Sequence, residues 1–138
     1  MSKAKGFTLV EVLLSAGVLT LVLLGVIAVF AQTVGISSRI DYEYKAANIG
    51  KARIEFARAF IETRGFDALT ADAFGEEDTR LDSAGVPDES GDFYRSTTVT
   101  VGYNGNVRLT AVEVTVGYAL KGRIKDDAVT LDMVFADI

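Results

Sequence analysis

The chain has 138 residues, no cysteine and no histidine, and 14 basic against 19 acidic side chains for a formal charge of −5. Part of that length is one apolar segment, so the remainder supports a single small globular domain and no large catalytic cleft. Without Cys or His there is no disulfide, thiolate or imidazole chemistry, and the acidic balance argues against a nucleic-acid module built on a basic surface.

The first element is written in Lys5 to Gln32, KGFTLVEVLLSAGVLTLVLLGVIAVFAQ, where Glu11 is the one charged residue between Phe7 and Ala31. The run matches the roughly 20 residues that cross a bilayer. Lys3 and Lys5 precede it, which by the positive-inside rule leaves the N-terminus in the cytoplasm and sends the rest outward in a single pass. A secretory signal peptide shares the basic start, and Ala28 to Gln32 weakly imitates its cleavage site. The run is long for such a core, however, so a retained helix is the expectation.

A carboxylate at the centre of a bilayer costs about 2.5–3.5 kcal/mol on insertion scales, and Glu11 lies near the cytoplasmic end, where the cost is smaller. Two readings stand. Glu11 rests at headgroup depth beside the positive end of the helix dipole. Alternatively, cutting the chain between Gly6 and Phe7 places the new Phe7 ammonium one turn from Glu11, or within reach of Glu11 on an adjacent chain, where an ion pair fixes register.

Lys5-Gly6-Phe7-Thr8-Leu9-Val10-Glu11-Val12-Leu13 resembles the class III signal of type IV pilins and pseudopilins: a short charged leader, glycine, an aromatic, a small polar residue, aliphatics and then glutamate. The resemblance implies cleavage after Gly6 by prepilin peptidase, N-methylation of Phe7, and recruitment of incoming subunits through Glu11. It also implies partners: other pilin or pseudopilin subunits, the peptidase, the inner-membrane assembly platform, and the bilayer before assembly. Loss of Lys3 and Lys5 with the leader makes the remainder more acidic.

Beyond the span, Ala46, Ile49, Arg53, Phe56, Ala57, Phe60 and Ile61 fall at steps of three and four, which predicts an amphipathic continuation. Its other face carries Arg39, Asp41, Glu43, Lys45, Lys51, Glu55 and Arg58, a mixed-sign surface unsuited to DNA. Gly65 after Arg64 is the stop signal. Gly17 and Gly25 weaken the helix locally yet permit close helix–helix approach. Many major pilins carry a proline in the span; here the sole proline is Pro87.

From Phe66 to Asp92 periodicity disappears, and GEEDTRLDSAGVPDESGD predicts an acidic surface loop. Because some pseudopilins bind calcium near the sheet, Asp78, Asp82, Asp88, Glu89 and Asp92 are candidate oxygen ligands, although their spacing matches no calcium-loop motif. No other cofactor is expected.

The last third alternates with period two. Val99, Val101 and Tyr103 precede a turn at Asn104-Gly105-Asn106; Val112, Val114, Val116, Tyr118 and Leu120 follow; Lys121-Gly122 marks a second turn; and Val129, Leu131, Met133 and Phe135 close the chain. Such a meander needs a cover for its apolar face, and the helix supplies one. The tyrosines and Phe93 are expected in the core or at its edge.

The expected organisation is α+β and pilin-like. A leader spans residues 1–6, a membrane and filament-core helix 7–32, its amphipathic second half 33–64, an acidic loop region 65–92, and a three-stranded antiparallel sheet 93–138. Beyond the N-terminus the likeness to minor pilins and pseudopilins of the PilV and GspI type is architectural. The functional expectation is a non-enzymatic filament subunit, a minor one, in an inner-membrane then extracellular or periplasmic fibre. A type II secretion pseudopilin, a simple membrane-anchored binding domain, and a hydrolase using Asp126 and Asp127 are the alternatives. Adjacent strand residues point to opposite faces, which disfavours the last.

Overall fold

The structure is a computed structural model that describes residues 8–120, 123–124 and 128–137. The chain divides into two compact units, Met1–Ser38 and Arg39–Ile138. A single helix, α1 (Leu9–Arg64), contributes to both.

In the first unit α1 is lined by exposed side chains throughout. Thr8 caps it: the Thr8 hydroxyl accepts from the Glu11 backbone N–H at 3.3 Å, which satisfies one of the orphan donors of the first turn. Further along, the hydroxyls of Ser15, Thr20 and Thr33 each donate to the carbonyl four residues back, at 2.7, 2.8 and 2.9 Å. These three hydroxyls are therefore satisfied within the helix itself.

In the second unit α1 buries Ala46, Ile49, Gly50, Ile54 and Ala57 against a sheet. Gly65 ends the helix at φ 90° and ψ 159°, a backbone region open essentially to glycine alone, and its N–H returns to the Ile61 carbonyl at 2.8 Å. Phe56 departs from the expected stripe. It is 55% exposed while Ile54 takes the core position, although the Phe56 ring still stacks on Phe74 at 5.8 Å.

The sheet is antiparallel and has five strands: β1 (Glu76–Leu81), β2 (Phe93–Val101), β3 (Leu109–Leu120), β4 (Arg123–Ile124) and β5 (Val129–Ala136). β3 is central, with β2 on one side and β5 and the two-residue β4 on the other; β1 lies outside β2. Val112, Val114, Val116 and Tyr118 of β3 are wholly buried, and Phe93 and Val99 join them from β2. Tyr42 of α1 packs its ring 5.6 Å from those of both Phe93 and Tyr118. β5 alternates half-buried Val129, Leu131, Met133 and Phe135 with exposed residues, as its period requires.

Two expectations are corrected. Residues 65–92 are not one irregular loop, and the sheet has more than three strands. After a 3-10 turn (Phe66–Ala68) and a one-turn helix, α2 (Ala71–Phe74), the acidic segment forms β1. Its sequence, EEDTRL, hides the strand because only Leu81 is fully buried and a register shift between Glu76 and Thr79 interrupts the alternation. The β2–β3 turn is also longer than Asn104-Gly105-Asn106. It runs from Gly102 to Arg108, with positive φ at Gly102, Asn104 and Gly105, and Tyr103 belongs to it rather than to β2. The expected turn at Lys121-Gly122 lies outside the described residues.

β1 is fastened by charge. Arg95 of β2 grips the Glu76 carboxylate with two hydrogen bonds of 2.9 and 2.8 Å, and Arg53 of α1 lies 3.2 Å from the same carboxylate. Arg53 also donates to the Phe74 carbonyl at 2.8 Å and sits 4.1 Å above the Phe74 ring. Burial opposes the charge on Glu76, but hydrogen bonds from Arg95 and Thr79 and the positive field of Arg53 and Arg95 outweigh it and leave the carboxyl below its usual range. For Arg53 burial dominates and lowers the guanidinium, with Glu76 opposing, yet a group so basic stays charged.

Candidate functional site

Thr8, Leu9, Val10 and Glu11 form the entry to α1, and the structure gives this quartet a local role that the expectation did not contain. Thr-x-x-Glu is the pattern of a capping box, in which the first residue caps and the acid lies at the third helical position. Thr8 performs its half. Glu11 stands in the first turn, where the positive end of the helix dipole favours an anion. Its carboxylate is exposed and has no hydrogen-bond or ion-pair partner among the described residues.

Around Glu11 the surface is apolar. Leu9, Val10, Val12, Leu13 and Leu14 are 78, 72, 57, 64 and 69% exposed, so the acid is an isolated charge on a greasy cylinder that no part of this unit covers. Gly17 and Gly25 are equally open; a Cβ added at either would meet nothing within 4 Å. Gly25 lies in a shallow, open apolar depression bordered by Val22, Val26, Val29 and Phe30. Within this unit no described residue packs against either glycine. Gly6 and Phe7 lie outside the described residues.

This apolar part of α1 is long and apolar enough to cross a membrane, and none of it is buried in the structure. Residues 1–27 match the prokaryotic N-terminal methylation motif. That motif is type IV pilin-like, and together with the apolar helix it is consistent with membrane anchoring. The family it marks is structural rather than enzymatic. No curated protein and no solved structure matches the chain.

Three of the calcium candidates, Asp82, Asp88 and Asp92, line one depression beside Lys45, while Asp78 and Glu89 do not border it. Among the described residues no group of three or more acidic side chains is placed to hold a metal ion. Four of the five accept hydrogen bonds from protein groups instead. Asp78 accepts from the Ser96 hydroxyl at 3.3 Å; Asp82 accepts from the N–H groups of Ala84 and Val86 at 2.8 and 2.9 Å; Asp92 accepts from the Tyr42 hydroxyl at 3.4 Å. Asp88 takes two bonds from Ser90, which hold its carboxyl below the usual range. Glu89 is exposed. Asp82 and Asp88 thus shape turns, the ordinary work of Asp in loops. Asp126 and Asp127 lie outside the described residues.

Proposed function

We propose that the chain is a subunit of a type IV pilus-like filament, a minor component rather than the bulk one. It is cut after Gly6 by prepilin peptidase, methylated on the new Phe7 amine, and assembled through α1. The observation that carries this reading is a carboxylate without a partner among the described residues, at the start of an exposed apolar helix and within the residues that match the methylation motif. Such a carboxylate is costly in lipid unless a cation meets it, and the Phe7 ammonium of a neighbouring subunit is the cation that processing creates. Before assembly the helix holds the chain in the inner membrane, N-terminus inside; afterwards its apolar surface packs against other helices, with Gly17 and Gly25 allowing close approach. Extraction from the membrane needs an energy source supplied by the assembly platform.

Intact-mass spectrometry of the membrane-extracted protein from its native host tests this reading. A mass beginning at N-methylated Phe7 supports it. A full-length N-terminus favours a simple membrane anchor, and a start beyond Ala31 means a cleaved signal peptide and a secreted domain.

A further inference from the structure

On the face of the sheet turned away from α1, Glu113 of β3 and Asp132 of β5 are direct cross-strand partners, and Thr98 of β2 lies opposite Glu113 on the other side. Two carboxylates set opposite each other repel, and neither has a cation partner among the described residues. They border a depression of about 200 Å³ walled by Thr98, Thr100, Tyr103, Ala111 and Val134. That volume is below the roughly 300–1,000 Å³ of small-molecule pockets and suits one inserted side chain. Its chemistry is that of a lysine. The apolar walls, including Val134 at 43% and Tyr103 at 37% exposure, take a methylene stem, while two carboxylates and threonine hydroxyls offer acceptors for three ammonium donors.

The helix side of this unit carries a matching group. In the second unit Arg39 pairs with Glu43, Lys45 with Asp41, Arg58 with Glu55 and Arg53 with Glu76, and Arg64 sits over Phe60. Lys51 is exposed and is the one basic residue of α1 without such a partner among the described residues. It is flanked by exposed Asn48 and Ala52, small enough for a sheet face to approach. Because α1 covers the inner face of the sheet, a copy cannot reach its own acid pair with Lys51.

We propose that the acid pair Glu113/Asp132 receives Lys51 of a second copy of this chain, in a head-to-tail contact between the helix side of one copy and the outer sheet face of the next. Such a heterologous contact leaves one free surface of each kind at the ends and so propagates. The inference rests on the filament reading for its biological setting, though not for its geometry.

The absence of cysteine permits a direct test on the purified full chain in nonionic detergent. Ala52→Cys and Ala111→Cys place one thiol beside each half of the contact, and a short bismaleimide is added over a range of protein concentrations. The double variant should give a ladder of trimers and larger species, and each single variant dimers at most. Lys51→Glu should reduce the ladder several-fold, and Glu113→Lys with Asp132→Asn should restore it. No ladder, or a ladder indifferent to Lys51→Glu, overturns the contact. A ladder that needs added calcium and ignores Lys51→Glu assigns the acid pair to a metal and also overturns it. The filament reading is judged separately, by the processed mass and by recovery of the chain in sheared filaments, so either can fail alone.

Discussion

Glu11 can matter in two ways, and its neighbours separate them. As the third residue of a capped helix it contributes to α1 through the dipole and the Thr-x-x-Glu pattern; as a charge it would pair with an incoming ammonium. Glutamine keeps the capping pattern and removes the charge. Glu11→Gln and Glu11→Ala should therefore both insert in the membrane normally and both be lost from sheared filaments. Thr8→Val, which removes a cap of about 1 kcal/mol, should still assemble. Assembly of the glutamine variant, or its failure only alongside Thr8→Val, would transfer the role of Glu11 to capping. Glu76 poses the opposite case, a charge whose role is internal. Its side chain and those of Arg53 and Arg95 are 15, 15 and 11% exposed, so removing the carboxylate strands two cations in a poorly solvated place. Glu76→Ala should cost about 3–5 kcal/mol in denaturant unfolding of the full chain in detergent. The folded carboxyl titrates below the unfolded one, so its contribution is complete above roughly pH 4.3, the unfolded value, and disappears as pH falls through the lower folded value. Stability measured across that acid window should rise with pH, and Glu76→Gln should flatten the rise.

At the scale of elements, β1 shows how a strand forms without a hydrophobic pattern. Its fastening comes from Leu81, from backbone pairing with β2, and from Glu76 reaching Arg95 and Arg53. Arg80 adds a bond from its guanidinium to the Gly91 carbonyl at 2.7 Å. Gly91 is tightly enclosed, since a Cβ there would run into the Leu81 carbonyl. Gly91→Ala should loosen β1 and the Asp82–Asp92 turn while β2, β3 and β5 stay paired. Amide hydrogen exchange should show protection lost over residues 76–92 and retained at 110–118. Uniform loss would mean that β1 and the central strands open as one unit.

For the whole molecule, two units of opposite character share one chain. Residues 9–38 present apolar side chains with little internal cover, whereas residues 39–138 bury Tyr118, Phe93, Val112, Val114 and Val116 in a core. The first unit needs lipid or other helices around it; the second folds on its own contacts. Extraction should therefore require detergent for the intact chain, and Phe93→Ala should lower stability by about 3–5 kcal/mol without releasing the protein from the membrane fraction. Release into the soluble fraction would show that the folded unit, rather than α1, holds it there.

Much of this was legible in the residues themselves. The apolar run and Glu11 within it are local in sequence, so the expected helix and the methylation motif needed no tertiary information. The alternations at Val112 to Tyr118 and Val129 to Phe135 marked strands because a half-buried strand writes its buried face at every second residue. Most of what the structure changes or adds is non-local. β1 stands in an acidic stretch because Glu76 finds Arg95 and Arg53 at separations of 19 and 23 residues, a pairing no window of sequence displays. Ile54 displaced Phe56 because the core face follows where the sheet lies rather than the mean period. The Glu113–Asp132 pair exists only because β3 and β5 meet in one register. Sequence by itself determined what must be kept from water and where the chain turns apolar; the tertiary structure decided which charges meet, because only the folded backbone brings distant side chains within reach.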